Sequence, residues 1–139
     1  MLYRILKHSY WLAILWTLFI IVLLVMPSKD IPNPHFLRGI QFDKFVHFTL
    51  FGTFVGLWTI PYASRESRET NTRFFILVCL AACAFGAGME WVQLEFTHGD
   101  RDYENMDIVA DSIGAIVGMI VSMLWVRAEK NRARGNKGQ

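Results

Sequence analysis

The chain has 139 residues and a formal net charge of +2, and 53% of its residues are hydrophobic. The mean hydropathy of +0.30 is high for a water-soluble domain, and the apolar residues form long blocks rather than an amphipathic rhythm. A soluble helical bundle with an unusually apolar core is the alternative, but blocks of this length would leave a small protein almost no polar helix surface.

Four apolar blocks are predicted to be membrane-spanning helices, each of which needs roughly 20 mostly apolar residues. They cover about residues 9–26, 45–63, 74–93 and 107–126. The sequence therefore predicts an all-α integral membrane protein in which four transmembrane helices form an antiparallel bundle. Residues 1–8 would precede the membrane domain at 9–126, and residues 127–139 would form a basic tail. The first block is too long for the apolar core of a typical signal peptide, so we predict an uncleaved span.

The basic residues predict the orientation of these helices. Ten of the fourteen lie in the N-terminus, the middle loop and the tail: Arg4, Lys7, Arg65, Arg68, Arg73, Arg127, Lys130, Arg132, Arg134 and Lys137. The positive-inside rule then places both termini in the cytoplasm (N-in/C-in). A basic tail next to a span is typical of a segment that contacts anionic lipid, so no nucleic-acid partner is expected.

The second predicted helix begins with Asp43-Lys44-Phe45-Val46-His47. Asp43 suits a helix N-terminus as a cap and by its charge, and His47 lies one turn further on the same face. Taken alone, the simpler interpretation is a cap followed by an interfacial histidine with a satisfied ring. The functional interpretation is a carboxylate–imidazole pair that faces the bundle. Gly52 and Gly56 follow at a spacing that lets another helix approach closely.

The third predicted helix ends with Gly86, Gly88, Glu90 and Gln93. Glu90 and Gln93 are three residues apart and share a face, and Gly86 lies one turn below Glu90. Arg101 is the only Lys or Arg in residues 86–118, which contain seven of the twelve acidic residues. Arg101 is therefore the expected local counter-charge.

The fourth predicted helix begins near Asp107, and Asp107, Asp111, Gly114 and Gly118 form one stripe along it. The two glycines form a small-x-x-x-small motif that is typical of close helix packing in membranes. Because Asp111 shares the stripe with these glycines, we predict that it faces the bundle interior and not the lipid.

The predicted topology brings the polar residues at the helix ends to one depth, near the outer membrane surface. They are Asp43, Lys44, His47, Glu90, Gln93, Arg101, Asp107 and Asp111. Ionisable residues inside a membrane are costly to bury and usually functional. Their convergence favours a shared polar site over separate caps and interfacial side chains.

The same residues make the sequence resemble the VanZ-like family of small bacterial membrane proteins, named for a protein associated with teicoplanin resistance. The family's marks are Asp-Lys-x-x-His, Glu-x-x-Gln, an Arg six residues before an Asp, an Asn one turn later, and Gly-x-x-x-Gly. They correspond here to Asp43, Lys44 and His47, to Glu90 and Gln93, to Arg101 and Asp107, and to Gly114 and Gly118. Asp111 stands where the family is expected to have Asn. The resemblance covers roughly residues 42–119.

The resemblance implies a multi-pass protein of the bacterial cytoplasmic (inner) membrane that takes part in envelope precursor modification or glycopeptide (teicoplanin) resistance. The candidate catalytic residues are His47, Glu90 and Asp107. Candidate substrate-binding residues are Asp43, Lys44, Gln93, Arg101 and Asp111. Glu90 or Asp107 would act as general base with His47 as its acid/base partner, and Arg101 or Lys44 would hold an anion. No Ser, Thr or Cys stands in the motifs as an obvious nucleophile, so water would have to attack.

Other functions stay open at this point, and whether the protein is an enzyme is among the open questions. The site could bind or transport a headgroup, ion or drug, in which case a homo-oligomer is expected, or it could be a structural ion-pair network without a ligand. A metal would use His47, Glu90, Asp107 and Asp111 as ligands, but their spacing matches no strong metal signature. No metal or other cofactor is therefore expected. The expected partners are the lipid bilayer and a lipid-linked envelope precursor or glycopeptide.

Overall fold

A computed structural model of the chain describes residues 10–26, 42–65, 71–96 and 105–136, and nearly all of these are helical. The four helices are α1 (Tyr10–Val25), α2 (Phe42–Arg65), α3 (Thr72–Phe96) and α4 (Asn105–Gly135). Each coincides with one of the four predicted apolar blocks. The predicted all-α fold is confirmed for the described part of the chain.

Three of the four helices are long and apolar enough to cross a membrane. Among the described residues these candidate spans are Phe42–Ala63, Thr72–Glu95 and Asn105–Gly135. Helix α1 is the most apolar of the four but has 16 residues, which is about 24 Å at 1.5 Å per residue and less than the roughly 30 Å hydrocarbon core of a bilayer. The three long helices indicate a membrane protein.

Consecutive helices run in opposite directions. Leu24 near the end of α1 and Glu90 near the end of α3 lie at the same end of the bundle as the first turns of α2 and α4. At the opposite end, Phe75 near the start of α3 packs with Val126 of α4 and Ile60 of α2. We call the end at which α2 and α4 begin the polar end. The antiparallel order of neighbours in sequence agrees with the prediction.

The most extensive helix packing is between α2 and α4, which run parallel. A Cβ atom added at Gly114 would collide with the Phe48 carbonyl oxygen, and one added at Gly118 would collide with the Gly52 carbonyl oxygen. The two backbones are therefore in direct contact, as small-x-x-x-small motifs permit. Gly56 differs from the prediction, because nothing lies within 4 Å of the position of its missing Cβ.

Helix α1 packs against α2 and α3, and aromatic side chains provide its contacts with α2. The indole nitrogen of Trp16 donates to the Leu50 carbonyl oxygen at 3.0 Å, and that of Trp58 donates to the Thr17 hydroxyl at 3.2 Å. The core between the helices contains Ile20, Leu24, Leu50, Phe51, Val55, Cys79, Ala82, Met89 and Ala115. These contacts hold the end of α1 beside the polar end of the bundle.

The distribution of polar residues is the reverse of that in a soluble protein. Large apolar side chains such as Leu77, Val121 and Leu124 are exposed, whereas His47 and Glu90 are buried. An apolar surface of this kind is stable in the hydrocarbon core of a bilayer, because the lipid tails are as apolar as the exposed side chains. The observation supports a membrane environment independently of helix length.

Helix α4 continues past the apolar block that predicts it. The block ends at residue 126, but the helix runs to Gly135 and carries the first part of the predicted basic tail. Arg, Lys, Ala and Glu are good helix formers, and Arg132 donates to Glu129 at 3.0 Å. The 31-residue helix is about 46 Å long at 1.5 Å per residue, longer than a bilayer core. Its basic end therefore projects beyond the apolar part of the bundle.

Candidate functional site

The polar end of the bundle gathers charged residues from three helices. In α2 the relevant positions are 43, 44 and 47, and in α4 they are 107 and 111, so each helix presents residues one turn apart on one face. Because α2 and α4 are parallel and packed backbone to backbone, their first turns lie at equal depth. This packing brings two motifs that are 60 residues apart in sequence into contact.

Lys44 links the two helices at the mouth of this cluster. Its Nζ lies 2.9 Å from Asp43 Oδ2 and 2.9 Å from Asp107 Oδ1. The Asp43 side chain is half exposed, whereas that of Asp107 is 13% exposed. Asp107 thus begins the buried part of the site, with one of its two oxygens held by a cation.

His47 lies between two carboxylates of α4. Its Nδ1 is 2.9 Å from Asp111 Oδ1, and its Nε2 is 3.7 Å from Asp107 Oδ2. An ionised carboxylate can only accept hydrogen bonds, so with Asp111 ionised the Nδ1–H of His47 donates to it. The ring is thereby oriented with Nε2 towards Asp107. Asp111 is 1% exposed, which confirms the prediction that it faces the bundle interior.

Glu90 brings the third helix to the same place. It is 1% exposed, and one ligand atom each from His47, Glu90 and Asp107 lie within 4.8 Å of one another. All three residues are buried. The three residues predicted to be catalytic are therefore neighbours in space, although they come from three different helices.

Gly86 provides the space in which Asp111 lies. A Cβ at Gly86 would be 2.6 Å from Asp111 Oδ2, so α3 accepts the carboxylate only because this position has no side chain. In the described part of the chain, Asp111 Oδ2 has no hydrogen-bond donor. The structure confirms that a neighbour approaches Gly86, and it identifies that neighbour as Asp111.

Gln93 and Arg101 are the remaining residues that the sequence predicts to bind the substrate. The amide nitrogen of Gln93 donates to the Leu24 carbonyl oxygen at 2.8 Å, so this nitrogen holds the end of α1. Arg101 lies outside the described residues. The sequence does not reveal the contact between Gln93 and Leu24, because the acceptor is a backbone carbonyl oxygen, which every residue has.

The arrangement suits two kinds of chemistry. An imidazole with one nitrogen bound to a carboxylate can exchange a proton at the other nitrogen, as in general acid–base catalysis. The same imidazole, next to Glu90 and Asp107, offers nitrogen and oxygen ligands for a cation. Both would use Nε2 of His47, which lies 3.7 Å from Asp107 Oδ2 while Nδ1 contacts Asp111.

Comparison with known proteins leaves the family open. No protein-family model matches the chain, and neither does any curated protein or solved structure.

Proposed function

We propose that this chain is a VanZ-like membrane protein of the bacterial cell envelope whose polar end faces the outside of the cytoplasmic membrane. The observation that carries the proposal is the contact of His47 with Asp111, with Glu90 and Asp107 beside it. Lys44, His47, Glu90 and Asp107, which match the family's motifs, lie together there, and Asp111 is the position that departs from the family's pattern. A resemblance of the sequence alone would not require these residues to be neighbours in the structure.

The proposed orientation has four spans with both termini in the cytoplasm. The basic, exposed end of α4, with Arg127, Arg132 and Arg134, lies at the end of the bundle opposite His47. Positive charge is enriched on the cytoplasmic side of membrane proteins, so this orientation directs the polar end outwards. The first of these spans is predicted at residues 9–26, which contain helix α1.

The proposed activity is acid–base modification of a lipid-linked envelope precursor at the outer surface. His47 would transfer the proton, Asp111 would orient its ring, and Glu90 or Asp107 would serve as base towards water. Lys44 would hold a phosphate or carboxylate of the substrate by exchanging it for the half-exposed carboxylate of Asp43 at the mouth of the cluster. Loss of a modified precursor would then change sensitivity to teicoplanin.

The test compares teicoplanin susceptibility in cells that express the wild type, His47→Gln or Glu90→Gln. Glu95→Gln is the matched control, because Glu95 is an exposed carboxylate near the end of the same helix as Glu90. We expect the wild type and Glu95→Gln to lower susceptibility, and the two site variants to lose this effect while they remain in the membrane at equal levels. Equal protection by all four proteins would contradict the proposal.

The second candidate is a structural ion-pair network without a ligand. It is favoured by the direct contacts of Lys44 with Asp43 and Asp107 and of His47 with Asp111. Under this alternative, His47→Gln and Glu90→Gln would lower the amount of folded protein in proportion to any loss of protection. Equal folding with lost protection separates the proposed function from this alternative.

A further inference from the structure

We infer that His47, Glu90 and Asp107 form a binding site for one divalent transition-metal cation, with Zn²⁺ as the best match. One imidazole and two carboxylates are ligands that Zn²⁺ accepts. Three protein ligands with a fourth position left for water are typical of catalytic zinc sites. The linear spacing of the residues hides the site, because each ligand comes from a different helix.

The distances are close to those that a metal requires. Two ligand atoms on a tetrahedral ion with bonds of about 2.1 Å are about 3.4 Å apart. His47 Nε2 and Asp107 Oδ2 are 3.7 Å apart, and the whole group of three lies within 4.8 Å. The largest separation in the group exceeds the tetrahedral spacing by no more than about 1.4 Å, so the ligand side chains would close on a bound ion.

The neighbouring residues orient the proposed ligands, as such residues do in known metal sites. A metal-bound histidine usually donates its other ring N–H to a carboxylate, which orients the ring. Asp111 accepts from His47 Nδ1 at 2.9 Å, and Lys44 holds the Asp107 oxygen that does not face His47. The remaining atoms, Nε2 of His47 and Oδ2 of Asp107, point towards each other.

A second observation points to a cation independently of the three ligands. Asp111 is 1% exposed, yet its Oδ2 has no hydrogen-bond donor among the described residues. The space beside this oxygen exists because Gly86 has no side chain. A buried carboxylate with an oxygen that lacks a donor is costly. A divalent cation bound to His47, the residue that Asp111 contacts, would compensate the charge of Asp111.

The inference rests on the proposed function for what the metal would do, but not for whether it binds. A bound Zn²⁺ generates a nucleophilic hydroxide from water at neutral pH. Such a hydroxide would supply the nucleophile that the motifs lack, and His47, Glu90 and Asp107 would then act as ligands in place of the acid–base roles proposed above.

The test measures Zn²⁺ binding to purified protein that has first been treated with a chelator. A competition titration against a chromophoric chelator gives the stoichiometry and affinity, and Co²⁺ substitution gives an absorption spectrum that reports the coordination. We expect one Zn²⁺ per chain in the wild type and at least a tenfold loss of affinity in Glu90→Gln and Asp107→Asn. Glu95→Gln, which removes an exposed carboxylate of α3 outside the group, should bind as the wild type does.

Two further variants sharpen the result. Asp111→Asn should weaken binding by about 10- to 100-fold, the usual effect of altering the partner of a metal-bound histidine. The chain has four histidines, so a protein with His8, His35 and His98 all changed to Gln keeps His47 as its sole imidazole. With Cu²⁺ as the probe, this protein should show nitrogen hyperfine coupling by electron paramagnetic resonance, whether or not the carboxylate variants fold.

The inference is overturned if the wild type binds no stoichiometric Zn²⁺, or if the sole-histidine protein shows no nitrogen coupling. It is also overturned if folded Glu90→Gln binds as the wild type does. Zn²⁺ binding without any effect on teicoplanin susceptibility would instead overturn the proposed function and leave the metal site intact. Conversely, if the wild type binds no metal but the site variants lose protection, the metal site is overturned and the proposed function is retained.

Discussion

His47 and Asp111 form a buried contact in which imidazole Nδ1 lies 2.9 Å from carboxylate Oδ1. Asp111→Asn keeps an oxygen that can accept from the ring N–H, whereas Asp111→Ala leaves the N–H without a partner. We expect the Ala variant to be about 1–3 kcal/mol less stable than the Asn variant, the usual cost of an unsatisfied buried group. Thermal unfolding of both proteins in the same detergent measures the difference, and equal stability would contradict the contact.

The contact between α2 and α4 depends on two glycines. Gly114→Ala and Gly118→Ala each place a methyl group against the backbone of α2, so each should cost about 1–3 kcal/mol, as overpacking does. Gly56→Ala is the matched control, since nothing lies within 4 Å of its missing Cβ. Unfolding temperatures of the three variants test this, and a loss at Gly56 as large as at Gly114 would show that the helices pack differently.

Lys44 is expected to matter through Asp107 rather than through Asp43. Lys44→Met removes the cation from an Asp107 side chain that is 13% exposed, which should cost about 1–3 kcal/mol, as for other hydrogen bonds to charged groups. Asp43→Asn should cost less than about 1 kcal/mol, because the Asp43 side chain is largely hydrated. Comparison of their unfolding midpoints checks the ranking, and the reverse order would contradict it.

Gln93 is expected to hold the end of α1. The Leu24 carbonyl belongs to the last turn of α1, where carbonyl oxygens have no intrahelical donor, and Gln93 supplies one at 2.8 Å. Gln93→Leu should therefore increase hydrogen–deuterium exchange in residues 20–25. Glu95→Gln, an exposed change two residues further on, should leave this exchange unaltered. Unchanged exchange in Gln93→Leu would mean that other contacts fix α1.

Much of the polar end can be predicted from sequence because it depends on helical periodicity. Asp111 shares a stripe with Gly114 and Gly118, and a stripe that packs against a helix cannot face lipid. The four-residue spacing of Asp43 and His47 likewise predicts a common face. These relationships lie within single helices, where the geometry is known in advance.

Partners across helices are harder to predict. Glycines at four-residue spacing show that some helix approaches closely, but they do not say which one, so the parallel α2–α4 pair is not evident from sequence. For the same reason the sequence does not show whether His47 contacts Asp107, Asp111 or Glu90. The partner of Gln93 is a backbone oxygen, which has no sequence signature. The group of possible metal ligands becomes visible only when three helices are assembled.

The central claim is that His47, Glu90 and Asp107 surround a ligand and not only one another. An experimental structure of the purified protein in lipid nanodiscs, at a resolution that shows water and ions, tests it most directly. We expect density for an ion, water or headgroup bound by all three side chains, in a cavity that opens at the polar end. A dry cluster with every oxygen and nitrogen paired to protein, and no entrance, would contradict the account and leave the residues a purely structural role.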